Sequence, residues 1–288
     1  CWARIASGSG REGAMTARRR TECVRGWTGP AAAPADIAVV IPTIGRASLL
    51  RAVRSVFAQD FTGSIQILVG IDRDVSGRAS RHRTALAAEL PANMQLTWFD
   101  PSYSTSCRYG GVNTCRFGGA LRTILTFAAQ PAIVLYLDDD DWYAPSHVRA
   151  MAAAMEGRQW AFSLCWYADS DLGIALWPDE IESVGPGRGV YAERFGGFVR
   201  PSALAIDKLA LAPILHLWSQ SDLPEGDGED RLIFEQLLQA PAPGETGQPT
   251  VFYAVDPRDR AHRRRAEFLE RNGVSFTATG KRESLRPE

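Results

Sequence analysis

Four consecutive aspartates, Asp138, Asp139, Asp140 and Asp141, follow directly on an apolar run from Ala132 to Leu137. The run is short, partly β-branched and preceded by Pro131, which is the pattern of a strand buried on both faces in a mostly parallel sheet. The carboxyl end of such a strand is where open α/β sheets bind their ligands. Four adjacent carboxylates repel one another, and at the mouth of a buried strand they are costly unless a cation sits among them. Oxygen-only ligands suit a hard metal, Mg²⁺ or Mn²⁺, and such metals share their coordination with substrate phosphates. A water-exposed acidic turn is the plainer explanation of an acidic run. The buried strand before it and Trp142-Tyr143-Ala144-Pro145 after it favour the metal.

The elements that must position this run are readable around it. Ile37 to Ile41 reads as a buried strand ending in Pro42-Thr43-Ile44-Gly45, followed by a helix over 46–59 with Leu49, Leu50, Val53 and Val56 at helical spacing. A second strand, Ile65 to Ile71, ends in Asp72-Arg73-Asp74, which reads either as a turn or as a ligand-binding strand end. A helix over 79–90, a strand from Met94 to Phe99, a polar glycine-rich loop over 100–114 and a helix over 115–129 with Leu121, Ile124, Leu125 and Ala128 on one face complete this half. The alternation specifies a parallel, doubly wound sheet. Arg46 and Arg116 stand near helix starts, where a guanidinium and free N–H groups can meet phosphate; exposed arginines are equally common there.

Beyond Pro145 the pattern changes. A helix over 146–156 precedes strands from Trp160 to Tyr167, Ile174 to Trp177 and Phe198 to Ile206, with a loop from Pro178 to Gly189 between the last two. A helix from Lys208 to Trp218 and a flexible acidic loop from Ser221 to Gly228 lead into a helix over 229–239 that opens with Glu229-Asp230. A strand from Thr250 to Val255 and a basic helix from Pro257 to Arg271 close the ordered part. The expected organisation is a poorly ordered leader over 1–35, a domain over 36–271 and a flexible tail over 272–288. The domain divides into a nucleotide-binding half over 36–141 and an acceptor half over 142–271.

Composition narrows the class. With 45% hydrophobic and 23% charged residues the chain is an ordinary globular protein, and a net charge of −1 gives no global pull toward nucleic acid or anionic lipid. No apolar run approaches a membrane span, and the five cysteines form no CxxC. Cys107 and Cys115 bracket the glycine-rich loop, with a disulfide as the alternative to free thiols; a reducing cytoplasm is the expected compartment. His82 reads as a surface residue, His147 and His216 as structural ones.

Val39-Val40-Ile41-Pro42-Thr43-Ile44-Gly45-Arg46 resembles the opening strand of the family 2 glycosyltransferases with the GT-A fold. The strand ending in Asp72, the Asn113…Arg116 helix entry, Leu137 with its four aspartates, and Glu229-Asp230 follow in that family's order over roughly residues 36–260. The resemblance implies an α/β, Rossmann-like GT-A fold with a mostly parallel central sheet and a smaller acceptor-side lobe. It implies inverting transfer of a sugar from a UDP- or GDP-linked donor to a glycan, lipid-linked or small-molecule acceptor, with Mn²⁺ or Mg²⁺. It places Pro42, Thr43, Arg46, Asp72, Asp74, Arg116, Asp138 and Asp139 around the nucleotide. The metal falls to Asp140, five residues before Pro145, with Asp138 and His262 as further ligands; one aspartate of the four is surplus. The base for the acceptor hydroxyl falls to Asp230, with Glu229 beside it; helix capping is a close alternative for Glu229 and the plainer role for Asp227. Trp142, Trp166 and Arg200 are placed on the acceptor side, and the 178–189 and 221–228 loops are expected to close over substrate. The late membrane segment of processive synthases is absent. Two other classes stay open. A nucleotidyltransferase is disfavoured by the single glycine in Pro42–Arg46, and a catalytically inactive nucleotide-sugar or glycan-binding module by the retained acidic residues.

Overall fold

The computed structural model describes residues 34–74, 77–223 and 225–274. All of the expected leader but its last two residues, and the tail beyond residue 274, lie outside them.

Four parallel strands form the first half of the sheet: β1 (Ile37–Thr43), β2 (Ile65–Ile71), β3 (Met94–Phe99) and β4 (Ile133–Tyr136), in the order β3-β2-β1-β4. Every residue of β1 and β2 is buried, which explains why both read as continuous apolar runs. Ile37 lies beside Ile65 in β2 and beside Ile133 in β4, so the carboxyl ends of β1, β2 and β4 open on the same side. The connecting helices are α1 (Leu49–Phe57), α2 (Ala79–Glu89) and α3 (Gly119–Ala128). On α1 the expected stripe of Leu49, Val53 and Val56 is buried. His82 on α2, expected at the surface, is buried too, and burial lowers its pKa.

The second half contributes β5 (Trp142–Tyr143), α4 (His147–Ala154), β6 (Trp160–Asp169), β7 (Ile174–Pro178), a short β8–β9 pair (Gly185–Pro186 and Gly197–Phe198) around α5 (Ala192–Phe195), β10 (Leu204–Asp207), α6 (Glu229–Leu237), β11 (Gly244–Ala254) and α7 (His262–Arg271). The sheet continues from β4 through β10, β6 and β11 to β5, and β7 pairs with β6. Here parallel and antiparallel pairs mix: β10 runs antiparallel to both neighbours, and β11 parallel to β6.

Three sequence expectations are revised in this half. The strand from Phe198 to Ile206 is broken by a 3₁₀ turn, Pro201–Ala203, because Pro201 has no N–H to give a ladder. The helix from Lys208 to Trp218 is instead a 3₁₀ segment, Ala212–Ser219, with Pro213 in its first turn. The loop from Pro178 to Gly189 is not free to close. Asp179 accepts backbone N–H bonds from Ile181, Glu182 and Ser183 at 2.7–3.1 Å, and its other contacts are an ion pair to Arg200 at 3.2 Å and the Tyr167 hydroxyl at 2.8 Å.

That loop is nailed down by buried charge. Glu182 pairs with Arg200 and, at 2.8 Å, with Arg265 of α7, which also reaches Asp259 at 2.7 Å. Arg200 stacks over Tyr253 at 3.8 Å. Arg200, expected on the acceptor side, is therefore an interior residue that docks the 178–189 loop and α7 onto the sheet. Removing one member of such a cluster leaves a buried charge uncompensated, at a cost of roughly 3–5 kcal/mol. We expect Glu182→Gln to lose about this much in urea denaturation. A change within about 0.5 kcal/mol, the usual range of a surface substitution, would show that the charges are not what docks α7.

Candidate active site at the carboxyl ends of the parallel strands

The four aspartates leave β4 in a tight turn, with the Asp141 N–H donating to the Asp138 carbonyl at 3.1 Å. The turn sends successive side chains in different directions, and each meets a different group. Asp141 points into the protein. Its carboxylate accepts from the Ser202 hydroxyl at 2.6 Å and from the Ala254 N–H of β11 at 3.0 Å. Burial, then Asp140 and Asp138, push its pKa well up. Ser202 also accepts from the Asp138 N–H at 3.1 Å. Asp141 is thus satisfied inside the protein, and the 3₁₀ turn that broke the expected strand is what delivers its partner.

Asp139 is also buried. It accepts from the Thr43 hydroxyl at the end of β1 (2.5 Å) and from Arg46 (2.9 Å). The two remaining carboxylates face outward. The Asp140 side chain is 47% exposed and pairs with the same Arg46 nitrogen at 2.5 Å. Asp138 is 30% exposed and pairs with Arg122.

Arg122 was not legible as a site residue. The face expected on α3 included Ile124, which is exposed, while Arg122 is buried between Gly119, Leu125 and Thr126. Two glycines permit this. Gly118 takes φ +81°, and a Cβ there would lie 2.8 Å from Pro42; a Cβ on Gly119 would lie 1.8 Å from the Trp218 carbonyl oxygen. The helix start is thereby pressed onto β1 and the 3₁₀ segment. Arg122 is fixed further by the Phe117 carbonyl (3.0 Å) and lies 5.3 Å from the Trp218 ring. A charged residue at i−3, i+3 and i+4 from buried positions of an amphipathic helix was the available signal.

The second acidic pair joins here. Glu229 opens α6, is 3% exposed and lies 3.6 Å from Arg122. Arg122 therefore spans from Asp138 to Glu229. Burial first, then Asp230, push the Glu229 carboxyl up to about 8, and Arg122 only partly offsets them. Asp230 is half-buried, accepts the Arg231 N–H at 2.9 Å, and is also raised by burial. No side chain caps the start of α6.

The other expected site residues are placed as follows. Asp72 is buried, and its two oxygens accept from the Thr105 N–H and hydroxyl and the Ser104 hydroxyl at 2.7–2.8 Å, so it shapes the 100–114 loop. Asp74 accepts from the N–H groups of Arg78 and Ala79 at 3.0 and 2.9 Å and caps α2. Arg116 is exposed, beside Gly226 through its backbone (2.9 Å). Trp142 is buried, stacked on Phe252 at 5.3 Å with Arg51 3.9 Å from its ring. The Trp166 indole donates to the Pro249 carbonyl at 2.9 Å. Trp142 is packed into the sheet, and Trp166 is half-buried. Cys107 and Cys115 are free thiols. His147 is buried, 2.7 Å from the Thr250 hydroxyl, and burial pushes its pKa down to about 3. His262 opens α7. Among the described residues no three His, Cys, Asp or Glu side chains gather as a metal cluster, so His262 does not join Asp138 and Asp140 in one. The donor set still fits a hard divalent ion. Such an ion is commonly held by one or two carboxylates with phosphates completing the shell, and Asp140 and Asp138 are two outward carboxylates.

No family model and no curated protein matches the sequence. Solved structures match its fold. The crystal structure of TarS from S. aureus superposes with a TM-score of 0.52 at 15% identity over 84% of this chain, which spans only 40% of that one. A TarS 1–349 fragment in complex with UDP-GlcNAc gives 0.51 at 14% identity, over 78% of this chain and 60% of that one. The mannosyltransferase PcManGT from Pyrobaculum calidifontis, in complex with GDP-Man and Mn²⁺, gives 0.51 at 13% identity, over 88% and 69%. The shared feature is the mixed α/β fold with its central sheet flanked by helices.

The raised Glu229 carboxyl has a consequence for stability. Its folded pKa lies above the usual 4.5, so the folded state holds a proton that the unfolded chain releases, and stability falls as pH rises from about 4.5 through 8. We expect Glu229→Gln to remove this slope. Its melting temperature relative to the parent should climb between pH 5 and 9, by an amount on the order of a few kcal/mol in stability. Parallel curves for the two proteins would contradict it.

Proposed function

We propose that the chain is a metal-dependent, inverting glycosyltransferase that moves a sugar from a nucleoside-diphosphate donor to an acceptor hydroxyl. The observation that carries this reading is the pairing, through Arg122, of the outward aspartates at the end of β4 with the acidic start of α6. One carboxylate group suits a diphosphate with its cation, and the other a proton acceptor. The likeness in fold to a mannosyltransferase bound to GDP-Man and Mn²⁺ supports it.

In this reading Asp140 and Asp138 hold the divalent ion, which supplies charge neutralisation on the departing diphosphate. Thr43 and Asp139 line the floor of the donor site, and Arg46 and Arg116 face its phosphates. The acceptor oxygen forms its bond to the anomeric carbon as the bond from that carbon to the phosphate oxygen breaks. The electron pair leaves with the diphosphate, and attack from the opposite face inverts the centre. The hydroxyl proton passes to Asp230. Glu229 is the more buried member of the pair and burial pushes its carboxyl up to about 8, so the transferred proton is assigned to the more accessible Asp230.

The test is direct. A panel of nucleoside diphosphates and their sugars, each with and without Mn²⁺, should contain one that stabilises the protein only with metal, by roughly 2.7 kcal/mol at about 100 times its Kd. Asp230→Asn should then lower turnover roughly 10²–10⁴-fold with that thermal shift intact. Asp140→Asn should lose the metal-dependent shift itself. No shift with any nucleotide would sink the donor site and leave a glycan-binding module as the better reading.

A further inference from the structure

Arg46 holds a position that the donor site, as read above, needs for something else. One of its terminal nitrogens lies 2.9 Å from an Asp139 oxygen and 2.5 Å from an Asp140 oxygen. A single nitrogen bridging two carboxylates does the electrostatic work of a bridging cation.

The two arginines of the site differ in freedom. Arg122 is 4% exposed and locked by Asp138, Glu229 and the Phe117 carbonyl. Arg46 is 42% exposed, and its Asp140 partner 47%. Its side chain can swing outward without opening the core, and a guanidinium binds a diphosphate in the same two-pronged way as a carboxylate. Asp139 keeps the Thr43 hydroxyl when Arg46 leaves. Asp140, whose only ion-pair partner among the described residues is Arg46, then loses that pair.

We propose that Arg46 is the site's built-in counter-cation: it occupies Asp140 until a nucleoside diphosphate draws it away, so that metal and nucleotide bind as an exchange of partners. Metal arriving alone must displace Arg46 into water and lie beside its charge. Metal arriving with a diphosphate finds Arg46 re-partnered on phosphate. The coupling is reciprocal, each ligand raising the other's affinity by the same factor. This rests on the glycosyltransferase reading for the presence of the metal, and goes beyond it in assigning the order and its cause to one residue.

The experiment is a titration of the whole chain with Mn²⁺, following the free-ion signal by electron paramagnetic resonance, with and without saturating UDP or GDP. Arg46→Gln and Arg46→Lys are compared with the parent. The parent should bind Mn²⁺ weakly alone and at least tenfold more tightly with the matching diphosphate, a coupling of about 1.4 kcal/mol or more. Arg46→Gln should bind Mn²⁺ at least tenfold more tightly than the parent without nucleotide and gain little on its addition. Arg46→Lys, which keeps the charge, should stay within a few-fold of the parent. Its retained weakness shows that charge and not a general loosening sets the result. A melting curve gives a second readout: Arg46→Gln should melt below the parent without metal and recover on adding Mn²⁺. If the parent couples Mn²⁺ to nucleotide and Arg46→Gln binds Mn²⁺ no more tightly than the parent, the counter-cation role is overturned while the transferase reading stands. If no protein binds Mn²⁺ with either diphosphate, both fall.

Discussion

Four adjacent carboxylates at the end of a buried strand cannot coexist without partners, and both halves of the fold supply them. The partners come from distant parts of the chain. Asp138 takes Arg122 from α3, Asp139 takes Thr43 from β1 and Arg46 from the loop after it, and Asp141 takes Ser202 and the Ala254 N–H. The acidic turn thus fastens β1, α3, the 3₁₀ turn after Arg200 and β11 to one point. Charge repulsion along four residues of sequence becomes a long-range organising constraint, because low dielectric makes an uncompensated buried carboxylate far more expensive than the chain bends needed to reach it.

The protein holds a second set of buried charges, and the contrast separates structure from chemistry. Asp179, Glu182, Arg200 and Arg265 are buried and close on one another. Nothing in that set faces solvent, and its product is the placement of α7 and the 178–189 loop. At the acidic turn the closure is incomplete. Asp141 and Asp139 are spent inward, and Asp140 and Asp138 keep an outward side. An ionic network with exposed members can exchange partners, which a fully interior one cannot do without unfolding.

Much of the frame was legible because a parallel sheet buries both faces of its strands. Ile37 to Ile41 and Ile65 to Ile71 are apolar runs that no other environment explains, and they are strands in the structure; Met94 to Phe99, at the sheet edge, is a strand with Gln95 and Thr97 exposed. The acidic run was legible as a site for the same reason. What each aspartate does was not, since the direction of successive side chains in a turn depends on partners that sequence distance hides. Asp72 illustrates the limit: its place at a strand end was readable, but the Ser104 and Thr105 donors that satisfy it came from a loop with no periodicity. Trp142 was read as a candidate sugar-packing face, with core packing the commoner explanation, and Arg200 was placed on the acceptor side by family resemblance. Their burial follows from Asp179, Glu182, Arg51 and Phe252, which meet them only in three dimensions. Arg122 was hidden inside an apolar stripe, where pattern reading assigns its neighbours to the core and passes over the charge.

The position of Arg122 also bears on which member of the acidic pair can act as a base. Two carboxyls that share a site do not ionise independently, and the first proton to stay on goes to the one that water reaches least. Glu229 is that one, at 3% exposure, even with a guanidinium 3.6 Å away. Burial raises both carboxyls of the pair, and it pushes the more buried Glu229 up to about 8 while Asp230 stays the more accessible of the two. One buried arginine joins the two acidic groups: it pairs with Asp138 and lies 3.6 Å from Glu229, whose raised carboxyl it only partly offsets.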